Sequence, residues 1–146
     1  MELHFPYGKE TLSIDIEDKN LQGVLVSSLH DYKSVKSPSL LVEEALMNPI
    51  GSERLSKLAE GKRKVVLICS DHTRPVPSKV IVPPMLREIR KGNPDAEVTI
   101  VISTGCHRPT TREELIAKFG EEIVEKENIV IHNADESPVT FLGVLP

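Results

Sequence analysis

Two short apolar runs, Val65-Val66-Leu67-Ile68-Cys69 and Val98-Thr99-Ile100-Val101-Ile102, each stop abruptly at a polar loop and lead into a helix-forming stretch. No other feature constrains the fold as strongly. Runs of this length and character read as strands buried on both faces, as in parallel sheets covered by helices. A third run, Ile129-Val130-Ile131, ends in His132-Asn133-Ala134-Asp135. Three βα-like units predict an α/β, Rossmann-like fold with a mainly parallel sheet and flanking helices. Composition agrees: with no Trp, two Tyr and three Phe, the core must be built from Val, Ile and Leu.

Between these runs the helix signals are legible. Ser78 can begin a helix in which Pro83-Pro84 must fall near its start or at a kink, with Leu86 and Ile89 continuing to Gly92 and Pro94 as a stop. Thr110-Thr111-Arg112-Glu113-Glu114 contains two overlapping capping boxes, and Glu121 to Lys126 adds a short turn or helix. Upstream, a helix from Leu40 to Met47 is capped by Ser39 and interrupted at Asn48-Pro49. It resumes from Ser52 to Ala59 and ends near Gly61. The amino-terminal residues predict two short strands, Leu3-His4-Phe5 and Thr11 to Ile16, joined through Pro6-Tyr7-Gly8-Lys9 as a β-hairpin. Gly23 to Val26 reads as a further extended piece. The tail from Ser137 to Pro146 carries no clear element.

The 146 residues fit a single domain, 1–146. Eighteen Lys and Arg against 22 Asp and Glu leave a net charge of -4, so nucleic acid and anionic membrane surfaces are not expected partners. Two cysteines, no apolar stretch near the roughly 20 residues of a membrane span and no leader pattern point to a cytoplasmic protein with reduced thiols.

The two polar loops, Ser70-Asp71-His72-Thr73-Arg74 and Thr104-Gly105-Cys106-His107-Arg108, carry the chemistry. In parallel α/β sheets ligands collect at the carboxyl ends of the strands, and consecutive βα units place such loops side by side. Arg74 offers a planar fork for a carboxylate or phosphate, Thr73 and Thr104 supply hydroxyls, and Gly105 allows close backbone approach. His107 can accept and return a proton near neutral pH, and Asp71 can orient a neighbouring His or Arg.

Ser70-Asp71-His72-Thr73-Arg74-Pro75-Val76-Pro77 with Thr104-Gly105-Cys106-His107-Arg108-Pro109-Thr110 resembles the amino-terminal domain of the lactate racemase family, the nickel-pincer-nucleotide enzymes. The resemblance runs from Pro6-Tyr7-Gly8 to Leu142-Gly143. It implies a racemase that moves a hydride from the carbinol carbon of a 2-hydroxy acid to the cofactor, nickel pyridinium-3,5-bisthiocarboxylate mononucleotide, and returns it to either face. Asp71, His72, Thr73 and Arg74 would then contact the cofactor nucleotide, Arg74 would also lie near the substrate carboxylate, and His107 would be one of two acid/base histidines. The family's second catalytic histidine, its cofactor-bearing lysine and its nickel-ligating histidine belong to a region after Pro146. The resemblance therefore implies a missing carboxy-terminal domain as partner, and a fragment inactive by itself. His132 is not a substitute; it reads as a solvated or capping side chain.

Rival patterns are weaker. Cys106 to Arg112 has the C-x5-R spacing of cysteine phosphatases, but Pro109 removes an N–H from the cradle, the loop interior lacks glycine, and no Ser or Thr follows Arg112. A zinc site from Cys69, His72, Cys106 and His107 would need the adjacent Cys106 and His107 to turn toward one metal. A plain nucleotide- or phosphate-binding module, without chemistry at His107, is the non-enzymatic alternative.

Overall fold

In the computed structural model, which describes residues 1–144, the chain divides into two compact units, Met1–Val35 and Lys36–Pro146. In the first unit β1 (Glu2–Tyr7) pairs antiparallel with β2 (Glu10–Asp15), in a register running from Glu2 opposite Asp15 to Tyr7 opposite Glu10. The predicted hairpin is present. Gly23 to Val26, expected to be extended, forms no strand; short 3₁₀ turns lie on either side, at Asp18–Asn20 and Ser28–Asp31. The described part of the tail after Ser137 has no regular element, and Leu145 and Pro146 lie outside the described residues.

The second unit begins with α1 (Pro38–Met47). Its cap is Ser37 rather than Ser39: the Ser37 hydroxyl accepts the Leu40 N–H at 3.3 Å, and Pro38 takes the first helical position. Proline is well suited to that position because its missing N–H would have been unbonded there anyway. The next helix, α2 (Leu55–Ala59), starts later than Ser52. Only the part whose Leu55 and Ala59 reach the core is helical.

Then β3 (Lys64–Ser70), α3 (Ser78–Gly92), β4 (Glu97–Ser103), α4 (Arg112–Phe119), α5 (Glu121–Lys126) and β5 (Asn128–Ile131) follow in turn. The three strands form one parallel sheet in the order β3-β4-β5, with Val65 opposite Val98, Ser70 opposite Ser103 and Ile102 opposite Ile131. This is the expected α/β architecture.

One face of that sheet carries the core. Val98, Ile100 and Ile102 are buried, with Val65, Leu67, Cys69, Ile129 and Ile131 packed beside them, against Val82, Leu86 and Ile89 of α3, Leu115 and Phe119 of α4, and Ile123 of α5. Alternate residues point the other way. There Val66 is 55% and Ile68 77% exposed, so β3 is covered on one face only, contrary to the two-sided burial its apolar run suggests. An unbroken run of apolar residues reports β-propensity on both faces; whether a layer covers each face is settled elsewhere in the chain.

Helix α3 runs through Pro83 and Pro84 and has no side-chain cap. Its last residue, Gly92, meets α2 at close range. A Cβ there would fall 1.8 Å from the Ser56 carbonyl oxygen and 2.7 Å from its carbonyl carbon. Both are backbone atoms, so Gly92→Ala must displace one helix. We expect it to destabilise the protein by about 1–3 kcal/mol, the usual cost of overpacking. A lowered urea midpoint at constant denaturant slope would show this, and an unchanged midpoint would contradict it.

Candidate active site

Because β3 and β4 are parallel neighbours in register, Ser70 and Ser103 lie side by side and the loops after them open at the same sheet edge. A cleft of about 520 Å³ lies there, lined by Ile68 to Asp71, Arg74 and Ser103 to His107. Gly105 supports the second loop with a φ of 56°, a conformation that suits glycine, and the His107 N–H closes a turn on the Thr104 carbonyl at 3.1 Å.

The two loops are joined by an aspartate–histidine pair. His107 Nδ1 lies 2.6 Å from Asp71 Oδ2, and Asp71 is 1% exposed whereas the His107 side chain is 45% exposed. Asp71 Oδ1 also accepts the Thr73 hydroxyl at 2.7 Å and the Thr73 N–H at 3.2 Å. These donors hold the Asp71 carboxyl down to about 2, the Thr73 hydroxyl contributing most, His107 and the Thr73 N–H adding to it, and desolvation opposing them. An ionised Asp71 requires the proton on Nδ1 of a neutral His107, which leaves Nε2 as the basic nitrogen. Nε2 has no hydrogen-bond partner among the described residues.

The depressed carboxyl has a consequence for stability. Asp71 adds stability that is fully present above the ordinary carboxylate range, about 4, and is lost as pH falls through about 2. The difference in urea midpoint between the wild type and Asp71→Asn should therefore shrink as pH is lowered from about 4 toward 2. A difference that stays constant over that interval would contradict the assignment.

The other expected site residues divide. The Arg74 guanidinium makes no ion pair or hydrogen bond among the described residues, and Arg74 lines both this cleft and an adjoining cavity of about 560 Å³. Its backbone is held by the Lys118 ammonium, which donates to the Arg74 carbonyl at 2.9 Å. Thr73 sits at the pair, its Oγ1 3.5 Å from His107 Nδ1. His72 does not line the cleft: its Nδ1 lies 3.2 Å from the Thr110 hydroxyl and its Nε2 3.6 Å from Glu114, facing the adjoining cavity. Thr104, expected to offer a hydroxyl to a ligand, is 2% exposed and donates that hydroxyl to the His132 carbonyl. Thr104 therefore ties the β4 loop to the chain beyond β5.

Two residues of this region were not anticipated in this role. The Ser70 hydroxyl oxygen is buried at the cleft wall without a partner among the described residues. Glu114, readable only as a helix cap, accepts both Arg108 Nη atoms at 2.9 and 2.6 Å. The rival chemistries fare poorly. Arg112 pairs with Glu125 and is absent from the cleft that Cys106 lines, and among the described residues no three His, Cys, Asp or Glu side chains gather to hold a metal ion.

Fold and cleft define an α/β domain that presents a carboxylate-backed histidine and an unpaired arginine at the carboxyl edge of a parallel sheet. The chain belongs to the lactate racemase N-terminal domain family, whose model matches residues 7–146. It is 49% identical over 145 residues to the lactate racemase of Thermoanaerobacterium thermosaccharolyticum and 48% identical over 145 residues to that of Lactiplantibacillus plantarum. Each alignment covers 99% of this chain and 34% of the relative, so the chain spans about a third of their length. The solved structure of the Thermoanaerobacterium thermosaccharolyticum lactate racemase apoprotein superposes with a TM-score of 0.76 at 49% identity, covering 91% of this chain and 30% of that one. No helix among the described residues is long and apolar enough to cross a membrane.

Proposed function

We propose that this chain is the amino-terminal domain of a cytoplasmic racemase of lactate-type 2-hydroxy acids, with His107 as one of its two acid/base residues. The observation that carries the proposal is the Asp71–His107 pair, 2.6 Å apart, in a cleft that also holds an unpaired Arg74. A histidine backed by a buried carboxylate has one nitrogen committed and the other available for proton transfer.

The donor set fits an anionic, oxygen-rich cofactor. The orphaned Ser70 hydroxyl and the unpaired Arg74 fork are the groups that an anionic nucleotide would satisfy. Of the segment Asp71-His72-Thr73-Arg74, Arg74 would meet it in this cleft, His72 faces the adjoining cavity, and Asp71 and Thr73 would act by holding the loop. The nickel-pincer nucleotide, when bound, supplies a hydride acceptor that can give the hydride back to either face of the carbon. Its metal and covalent attachment would belong to the carboxy-terminal part of the protein. Racemisation by the 146 residues alone is therefore not expected.

The residues of this chain divide the remaining work. Arg74 pairs with the substrate carboxylate and fixes the point about which the molecule reorients. His107 Nε2 takes the hydroxyl proton as the carbinol carbon is oxidised and returns it to oxygen when the keto acid is reduced. Asp71 holds the ring by Nδ1–H and stabilises the imidazolium formed in between. Two free thiols, Cys69 and Cys106, suit a reducing compartment.

The test is direct. The full-length protein, loaded with the nucleotide, should convert either pure lactate enantiomer to a mixture of both, followed by chiral chromatography. Retention of a single enantiomer by loaded protein would leave a phosphate- or nucleotide-binding module as the better account, and tight nucleotide binding without turnover would establish that alternative.

A further inference from the structure

The geometry points to Glu114 as the positioning residue that locks the two strand-end loops together and sets the pose of His107. Glu114 lies in the first turn of α4, where its carboxylate accepts the Thr111 N–H at 2.8 Å while the Thr111 hydroxyl accepts the Glu114 N–H at 3.3 Å. That alone would be a helix cap. The carboxylate, however, also takes the fork of Arg108, the residue after His107, on both oxygens, and its Oε1 stands 3.6 Å from Nε2 of His72, next to Asp71. One carboxylate thus binds the neighbour of His107 and stands beside the neighbour of Asp71.

The surroundings reinforce this. Thr110, 3% exposed, lies against the other ring nitrogen of His72, so that ring sits between Thr110 and Glu114 of α4. One turn further along α4, Lys118 holds the Arg74 carbonyl. Helix α4 therefore grips the first loop at His72 and Arg74, and the second at Arg108. The Glu114 carboxyl is held down to about 2, by Arg108 first and by the Thr111 N–H next, so the brace stays charged throughout the range in which a histidine exchanges protons. A surface Arg–Glu pair contributes little to stability. Here its effect is on geometry, because a bidentate fork restricts Arg108 in direction as well as distance.

The inference rests on the racemase reading of the cleft, and the experiment separates the two. In the full-length, nucleotide-loaded protein, Glu114→Gln keeps an acceptor for the Thr111 N–H but loses the charge that binds the Arg108 fork beside His72. We expect kcat to fall by about tenfold or more with KM changed by less than about twofold, because misorientation of a base slows the chemical step. In a His107→Ala background the same substitution should produce no further loss, since Glu114 acts through His107. An equal loss in both backgrounds, or wild-type kcat in Glu114→Gln, would overturn the proposal.

A second readout needs no activity. The His107 ring ¹⁵N resonances of the full-length apoprotein should be displaced in Glu114→Gln, and in Arg108→Gln, which breaks the brace from its other end. If loaded wild-type protein racemises nothing, the racemase reading fails and these resonances decide on Glu114; unchanged resonances in both variants would overturn the brace.

Discussion

Replacing His107 with alanine in the full-length protein should slow racemisation by about 10²–10⁴-fold, the range for loss of a general acid/base, while nucleotide loading persists. The reason lies in how the ring is held. Its Nδ1 faces a carboxylate that is 1% exposed and stays ionised down to about 2, and its Nε2 has no partner among the described residues. With 45% of its side chain exposed, His107 contributes little to the core, so the variant should remain folded. Burst and steady-state measurements with each lactate enantiomer would check the effect. In single-turnover measurements the first half-reaction should be slowed for the enantiomer whose hydroxyl faces His107 and much less for the other, whereas steady-state kcat/KM should fall equally from both enantiomers because their equilibrium constant is 1. Near-normal turnover in both directions would remove His107 from the reaction.

The second large effect is expected at Arg74. Among the described residues its guanidinium has no internal partner, in contrast to the nearby Arg108, which is bound by Glu114. Arg74→Ala should raise KM by roughly 10- to 100-fold, since hydrogen bonds to charged groups are worth about 1.5–3 kcal/mol each. Nucleotide loading should weaken as well. Arg74→Lys should recover only part of this, because an ammonium offers a point charge where a planar fork matches both carboxylate oxygens. Unchanged KM and unchanged loading in Arg74→Ala would show that the arginine faces solvent without function. Among the described residues Arg74 makes no ion pair, and it lies at the surface, so its removal should leave the unfolding free energy within about 0.5 kcal/mol of wild type.

The sequence and the structure agree most closely where local signals were strong. Apolar runs at Val65–Cys69 and Val98–Ile102 became β3 and β4, and the overlapping capping boxes resolved to Thr111 with Glu114, leaving Thr110 free to bind His72. Weak local signals went astray. Ser39 and Ser37 are equally good caps by residue type, and Pro38 between them decided for Ser37 by supplying the first helical position. Gly23 to Val26 has the composition of a strand and no partner to pair with among the described residues.

For the candidate site, which residues would meet was legible, and how they are wired much less so. Asp71, Thr73, Arg74 and His107 could be named from two loops at equivalent strand ends, because the parallel arrangement that joins such loops is a general property of βα units. What each polar atom does there could not be. Thr104 turned its hydroxyl inward to the His132 carbonyl, and His72 turned away from the cleft toward Thr110 and Glu114.

By itself the sequence determined the alternation of strands and helices, the edge of the sheet at which chemistry could gather, and the residue types available there. All of these follow from apolar periodicity and from loop residues that cannot continue a strand. Tertiary structure decided which of two threonines capped α4, which face of β3 was covered, and which carboxylate met which cation. Those choices depend on contacts between residues far apart in the chain, such as Asp71 with His107, and no local pattern encodes the distance across which they meet.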